Sequence, residues 1–100
     1  MEKLNSAAIK YLKSQAHHLD PVVLIGQNGL TDSVIAKTDQ VLTSHELIKV
    51  KFLDFKEEKK ELIGKLTDST DSQFVGMVGH VATLYRPNPE EDKRKIRLPQ

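Results

Sequence analysis

Apolar residues recur at helical spacing over the first part of the chain. From Leu4 to Leu19 they fall every three or four positions, which predicts an amphipathic helix. Pro21 disfavours helical geometry at Asp20, so we expect this helix to end near His18. Its apolar positions are Leu4, Ala7, Ala8, Tyr11, Leu12, Ala16 and Leu19.

A glycine loop separates the next apolar run from a second helical pattern. Four consecutive apolar residues, 22–25, predict a short strand buried on both faces. Gly26-Gln27-Asn28-Gly29 follows, and two glycines allow positive φ and leave no Cβ in the way of a ligand. Thr31 is placed to cap the second helix, which we expect to close at 44–46. Such a loop before a helix N-terminus suits a phosphate, whereas the alternative is a tight turn that binds nothing.

In the middle of the chain, apolar and polar residues alternate, and a highly charged segment follows. Residues 47–53 predict a second strand that turns Ile48, Val50 and Phe52 to one side and Lys49 and Lys51 to the other. Asp54 with Glu57 resembles a capping box and predicts a third helix. The inner side of this helix is predicted to contain Phe55, Lys59, Leu62, Ile63 and Leu66. We expect another part of the chain to pack closely against Gly64. The polar residues 67–71 are predicted to end the helix.

The last apolar runs predict a hairpin, and the order of elements then defines a fold class. Residues 74–78 and 81–86 form two strands around Gly79-His80, which pair antiparallel. Short βαβ connections favour parallel neighbours for the earlier strands. The chain is therefore predicted to be a single small α/β domain, helix-strand-helix-strand-helix-strand-strand, with a mixed four-stranded sheet covered by helices. Residues 1–89 form the domain, and 90–100 form a basic, loosely held C-terminal tail after Pro87 and Pro89.

Composition narrows the class of protein. A hydrophobic fraction of 38% and a charged fraction of 29% suit a small folded domain. The absence of cysteine excludes disulfides, a thiolate nucleophile and a cysteine-based zinc site. The polar start lacks a signal peptide, and no apolar run reaches the ~20 residues of a membrane span. We therefore expect a cytoplasmic protein that does not contact membranes.

Positive charges are clustered in parts of the chain, although the net charge is only +1. Residues 93–97 contain four cations, Lys93, Arg94, Lys95 and Arg97. On the first helix, Lys3, Lys10, Lys13 and His17 fall on the side opposite the apolar face. Basic surfaces can thus exist despite the small total, although a solvated lysine stripe is the ordinary alternative.

Signatures of catalysis and of cofactor binding are scarce. The glycine loop is too short for a P-loop and lacks the three-glycine spacing of dinucleotide sites. His17 and His18 diverge by ~100° on a helix, so they do not form a metal pair. His45 and Glu46 are neighbours that do not face each other. We expect no enzyme, no cofactor and no metal; a small enzyme using His45, Glu46 or Asp32 remains the alternative.

Several segments together resemble one known family. They are Leu19-Asp20-Pro21-Val22-Val23-Leu24-Ile25-Gly26-Gln27-Asn28-Gly29-Leu30-Thr31, His45-Glu46-Leu47-Ile48-Lys49-Val50-Lys51, Val78-Gly79, Leu84-Tyr85-Arg86-Pro87 and Lys95-Ile96-Arg97-Leu98-Pro99. The chain resembles the bacterial YhbY-type proteins, which are stand-alone CRM domains (chloroplast RNA splicing and ribosome maturation). The resemblance covers nearly the whole chain.

The resemblance implies RNA binding by a fold similar to the C-terminal domain of translation initiation factor three, with a KH-like Gly-x-x-Gly loop. It implies association with precursors of the large ribosomal subunit. In this chain the loop amides Gln27 and Asn28 replace the lysine or arginine of many relatives, so cations must come from elsewhere. The candidate RNA-binding residues are Gly26, Gln27, Asn28, Gly29, Thr31, Lys3, Lys10, Lys13, Lys49, Lys51, Arg86, Lys93, Arg94, Lys95 and Arg97.

Two functions of different classes follow. The first is a non-enzymatic RNA-binding protein that acts in ribosome biogenesis. The alternative is a protein-interaction module that uses the acidic face of the third helix or a sheet edge without direct RNA contact.

Overall fold

The computed structural model describes residues 3–99, so Met1, Glu2 and Gln100 of the predicted domain and tail lie outside the described residues. Within this range three helices and four strands follow in the predicted order. They are α1 (Ser6–Ala16), β1 (Val23–Ile25), α2 (Asp32–His45), β2 (Leu47–Phe52), α3 (Lys59–Thr70), β3 (Gln73–Val78) and β4 (Val81–Tyr85), and a 3-10 turn spans Glu91–Lys93.

The strands form one mixed sheet in the order β1-β2-β4-β3, which confirms the predicted fold class. β1 is parallel to β2, while β4 is antiparallel to both β2 and β3. Helices α2 and α3 pack on one face, and α1 packs over β2, β4 and β3 on the other. The main core lies under α2 and α3 and contains Val23, Ile25, Leu42, Ile48, Val50, Phe52, Ile63, Leu66, Ala82 and Leu84. A smaller cluster lies under α1 and contains Leu12, Ala16, Leu47, Val75 and Tyr85.

The first helix is amphipathic as its pattern predicts, but it ends two residues earlier. The Asn5 side chain accepts from the Ala8 N–H at 2.8 Å, and the helix ends at Ala16 rather than near His18. Ala8 and Ala16 are buried, whereas Ala7 is exposed and Leu19, beyond the helix, is 37% exposed. Residue 7 lies about 100° around the helix from residue 8, which turns it towards solvent.

The prediction that the first strand is buried on both faces is wrong. Val23 and Ile25 point into the main core, but Leu24 is 52% exposed and Val22 is 37% exposed. The strand is at the edge of the sheet and pairs with β2. Because α1 lies over the other three strands, the α1 side of β1 stays open to solvent.

The third helix begins later and ends later than its pattern predicts. Its first residue is Lys59, its N-cap Glu58 makes no side-chain capping bond, and Phe55 lies outside it with a φ of 55°. The expected capping box at Asp54 and Glu57 is therefore wrong. The charged residues at 54–58 form a connecting loop instead, and Phe55 is 41% exposed rather than inward-facing.

The predicted polar break at 67–71 is helix as far as Thr70. The hydroxyls of Thr67 and Thr70 donate to backbone carbonyls three and four residues earlier, at 3.0 and 2.8 Å. These bonds satisfy the polar side chains within the helix, which periodicity alone does not reveal. Gly64 is exposed with nothing within 4 Å of a Cβ position, so the expected close packing there is also wrong.

The C-terminal segment is docked rather than loosely held. Ile96 and Leu98 pack against the smaller cluster under α1. The buried carboxylate of Glu46 accepts from the backbone N–H groups of Asn88, Lys95 and Ile96. These bonds join residues that are 42 to 50 positions apart in the chain, which explains why local patterns missed them.

Candidate nucleic-acid interface

The glycine loop is a tight turn whose tip faces solvent. The Gly29 N–H donates to the Gly26 carbonyl at 3.0 Å, so Gln27 and Asn28 occupy the two central positions and are exposed. Gly29 has a φ of 69°, a value that favours glycine. Of the two glycines that allow a positive φ, Gly29 adopts one and Gly26 does not.

Helix α2 begins directly behind this turn. The Thr31 hydroxyl accepts from the Val34 N–H at 3.1 Å, which confirms Thr31 as the N-cap. In the first turn the N–H groups of Asp32 and Ser33 have no intrahelical acceptor and suit an anion. The exposed Asp32 carboxylate lies in the same turn and opposes an anion, so this helix end alone provides weak anion affinity.

Three of the candidate lysines lie on the α1 side of the sheet. Lys49 and Lys51 alternate with the buried residues of β2, as predicted. The Lys13 side chain crosses β3 with its Cε 2.7 Å from where a Cβ on Gly76 would stand. Gly76 pairs with Thr83, which pairs with Lys49, so Lys13 lies over the β3 end of the row that contains Lys49.

A second row across all four strands is left open by α1. Leu24 pairs with Lys51, Lys51 with Val81, and Val81 with Val78. Leu24 is 52% and Val78 85% exposed, while Lys51 is also exposed. We call Leu24, Lys49, Lys51, Val78 and Val81 the open sheet face. On such a surface, apolar side chains can contact the bases of a nucleic acid, and lysines can contact its phosphates.

The β3–β4 turn and the start of α3 meet at the same end of the sheet as the glycine loop. Lys59 Nζ donates to the Gly79 carbonyl at 2.7 Å and lies 3.2 Å from His80 Nδ1. Partial desolvation and the positive charges of Lys59 and Lys56 lower the pKa of His80 below its ordinary value. The lowered pKa favours the neutral imidazole of His80, and Lys59 is tied to the turn rather than lining the inner side of α3.

Phe55 is a member of this region that sequence analysis missed. Its ring lies 3.5 Å from the position of a Cβ on Gly29, in the loop that joins β2 to α3. A signal was present in the chain, because Phe55 is the one apolar residue in the run 54–61 and has no apolar partner three or four positions later. An isolated apolar residue of this kind does not fit an amphipathic helix. We call the glycine loop, residues 53–58 and Gly79-His80 together the loop end.

The remaining candidate cations lie elsewhere. Arg86 follows β4, at the end of the central strands that is opposite the loop end. The five residues of β4 place Arg86 about 17 Å from the loop end, at ~3.4 Å per strand residue. Its guanidinium donates to the Asp39 carboxylate at 2.6 Å, to the Thr70 carbonyl at 2.7 Å and to the Thr43 hydroxyl at 2.8 Å. Arg86 thus joins the C-terminal half of α2 and the end of α3 to β4, a structural role that its sequence neighbourhood did not indicate.

The tail cations also have internal partners. Lys93 pairs with Glu90 at 2.6 Å, Arg94 Nε donates to the Asn88 carbonyl, and Lys95 Nζ donates to the Ser44 carbonyl. Lys3 and Arg97 line a wide surface depression beside this segment, while Lys10 is exposed on α1. We call Glu46, Arg86 and residues 87–98 the tail end. The structure therefore divides the predicted site between two ends of the sheet.

The groups proposed for catalysis do not meet. Asp32 and His45 are the first and last residues of α2, about 20 Å apart at ~1.5 Å per residue. The Glu46 carboxylate is occupied by backbone N–H groups, and His45 lines a shallow cleft with Gln15 and Asp20.

Among residues 3–99 no three histidine or acidic side chains cluster in a way that could hold a metal ion. In the same range no helix is long and apolar enough to cross a membrane.

Comparison with known proteins identifies the family. The model of the CRS1/YhbY (CRM) domain matches residues 4–86. A Haemophilus influenzae relative named RNA-binding protein is 43% identical over an alignment of 101 positions, which covers 100% of this chain and 99% of the relative. A Pseudomonas aeruginosa relative, whose name gives RNA binding as probable, is 40% identical over 84% of this chain and 82% of its own length.

A solved structure has the same fold. The solution structure of a hypothetical Staphylococcus aureus protein, for which RNA binding is suggested, superposes with a TM-score of 0.80 at 36% identity. The match covers 97% of this chain and 100% of that protein. The chain belongs to the CRS1/YhbY (CRM) domain family.

Proposed function

We propose that this protein is a non-enzymatic RNA-binding protein of the cytoplasm that associates with precursors of the large ribosomal subunit. Support for RNA as the partner comes from the CRM family match and from relatives named RNA-binding proteins. The ribosomal target rests on the resemblance to YhbY-type proteins.

One structural observation carries the location of the proposed interface. The glycine loop and the open sheet face are continuous, because β1 leads directly from Leu24 into Gly26 and pairs with the lysine strand β2. Lys13 reaches the same face from α1. A phosphate backbone lying along this path contacts lysines on the sheet and backbone N–H groups at the loop.

The contributions of the candidate residues differ. Lys13, Lys49 and Lys51 supply the main phosphate contacts, since they share one sheet face. Gln27 and Asn28 donate amide hydrogen bonds, while Gly26, Gly29 and Thr31 shape the turn and the helix start. Lys3, Lys10 and the tail cations Lys93, Arg94, Lys95 and Arg97 add longer-range attraction, and Arg86 acts chiefly in holding the fold.

The separation of Asp32, His45 and Glu46 supports a non-enzymatic role. General acid–base catalysis requires a positioned group within hydrogen-bond reach of the reacting proton. These three groups lie at opposite ends of α2 or are already occupied.

Crosslinking in cells tests the proposal. The protein is crosslinked to RNA, the RNA is sequenced, and the sedimentation of the protein is compared with that of ribosomal subunits. We expect large-subunit RNA and sedimentation with large-subunit precursors that is lost after nuclease treatment. Co-purification with a protein that survives nuclease and high salt, without crosslinked RNA, would show the protein-interaction module instead.

A further inference from the structure

Phe55 presents an aromatic ring beside the glycine loop. The side chain is 41% exposed, and its Cε2 lies 3.5 Å from the position of a Cβ on Gly29. Its φ of 55° is a left-handed conformation that bulky residues rarely adopt. The fold therefore holds a large apolar ring half in solvent, at a backbone conformation where glycine or asparagine would be more stable.

Hydrogen bonds fix the segment that carries this ring. The N–H groups of Leu53 and Asp54 both donate to the Ile25 carbonyl, at 2.9 and 3.3 Å, and the Glu58 N–H donates to the Phe55 carbonyl at 3.1 Å. Ile25 directly precedes the glycine loop. The ring and the turn are thus positioned by the same strand end, which lowers the entropy lost when a ligand contacts both.

The ring and the glycine loop carry no charge of their own, so they suit a neutral group better than a phosphate. Residues 26–29 contain no charge, and residues 53–60 contain Asp54, Glu57 and Glu58 against Lys56, Lys59 and Lys60, a net charge of zero. Lys49 and Lys51 lie on the open sheet face. A nucleotide chain can satisfy both regions, with phosphates towards the lysines and a neutral base towards Phe55.

We infer that Phe55 is a stacking platform for an unpaired RNA base whose flanking backbone lies at the Gly26–Gly29 loop. This inference rests on the proposed RNA binding and deepens it, since it names a single-stranded segment as the element bound at this end. Aromatic rings stack on every base, so the contact adds affinity with little sequence preference.

A single tryptophan provides the direct test, because the chain contains none. Phe55→Trp is titrated with a short single-stranded RNA of mixed sequence while the emission of the tryptophan is recorded. The matched control is Phe74→Trp, since Phe74 is a similarly exposed phenylalanine, 47%, on the edge strand β3. We expect strong quenching for Phe55→Trp and none for Phe74→Trp. RNA binding by Phe55→Trp without a change in its emission would overturn the inference and leave the proposed function standing.

Affinity measurements separate stacking from support of the turn. Phe55→Leu keeps an apolar contact with Gly29, so we expect an unchanged melting temperature but binding weakened on the order of tenfold, while Phe55→Tyr binds like the parent protein. On a ribose-phosphate strand without bases, the parent protein and Phe55→Leu should bind equally. If Phe55→Leu lost as much affinity for the abasic strand as for RNA with bases, Phe55 would act by supporting the turn and not by stacking. Absence of binding by the parent protein to every RNA would instead refute the proposed function itself.

Discussion

Both ends of the sheet carry polar side chains, but the two ends use them differently. At the tail end, the Glu46 carboxylate accepts from three backbone N–H groups, those of Asn88, Lys95 and Ile96. Arg86 at the same end is bonded to α2 and α3. At the loop end, Gln27 and Asn28 point into solvent from the tip of a turn.

We infer from this contrast that a charged residue in a sequence motif need not be a ligand-binding residue. What matters is whether its hydrogen-bonding capacity is already used within the fold. The tail end uses that capacity to hold distant segments together, and the loop end leaves it available. Variants at the tail end should therefore change stability, and variants at the loop end should change RNA binding.

The largest effect is expected at Glu46. Glu46→Ala leaves three backbone N–H groups of the tail end without their acceptor and should lower the free energy of unfolding by about 3 kcal/mol. Urea denaturation measures the change. The control is Glu61→Ala, because Glu61 has a side chain 68% exposed and should change stability by less than about 0.5 kcal/mol. Equal stability of the two variants would contradict the role of Glu46 in docking the tail.

Arg86→Lys separates charge from hydrogen-bond geometry. Lysine keeps the positive charge but cannot reproduce the planar fork that reaches Asp39, Thr43 and Thr70, so we expect a loss of about 1.5 kcal/mol in stability. RNA affinity of the folded variant should stay the same. A variant that is stable but binds RNA more weakly would place Arg86 in the RNA interface after all.

Acidic residues at the loop tip should act in the opposite way. Gln27→Asp with Asn28→Asp places two negative charges beside the proposed phosphate path and should weaken RNA binding about tenfold or more. An exposed turn tolerates these polar changes, so circular dichroism should be unaltered. The control pair Ala36→Glu with Gln40→Glu on exposed positions of α2 changes the net charge equally. Equal weakening by both pairs would show a general charge effect rather than a contact at the loop.

The lysines of the open sheet face should affect salt dependence. Each phosphate contact on a single strand contributes about −0.7 to the slope of log affinity against log salt. Lys49→Gln with Lys51→Gln should therefore flatten the slope by about 1.4, and Lys37→Gln with Lys65→Gln, on α2 and α3, should leave it unchanged. The same slope for both double variants would remove the open sheet face from the interface.

Local patterns were sufficient for most elements of the fold and for the loop. The alternation of Ile48, Val50 and Phe52 predicted β2 correctly, and the spacing around Thr31 predicted the cap of α2. Errors arose where partners distant in the chain decide the outcome. The exposure of Leu24 depends on where α1 ends, and the docking of Ile96 depends on Glu46.

The site was harder to predict than the fold for the same reason. Lys13 joins Lys49 on one face only because a bulge in β3 places Gly76 under its side chain. Arg86 belongs to a family motif, and nothing in that motif shows that Asp39 and Thr70 occupy its donors. Phe55 lies beside Gly29 through a loop conformation that periodicity does not describe.

Chemical-shift mapping of the backbone amides tests the central difference between the two ends most directly. The isotope-labelled protein is titrated with a short single-stranded RNA, and shift changes are assigned along the chain. We expect the largest changes at residues 26–31 and 49–55, with little change at Asn88, Lys95 and Ile96. Changes concentrated at residues 86–98, with the glycine loop unaffected, would contradict the assignment of RNA binding to the loop end.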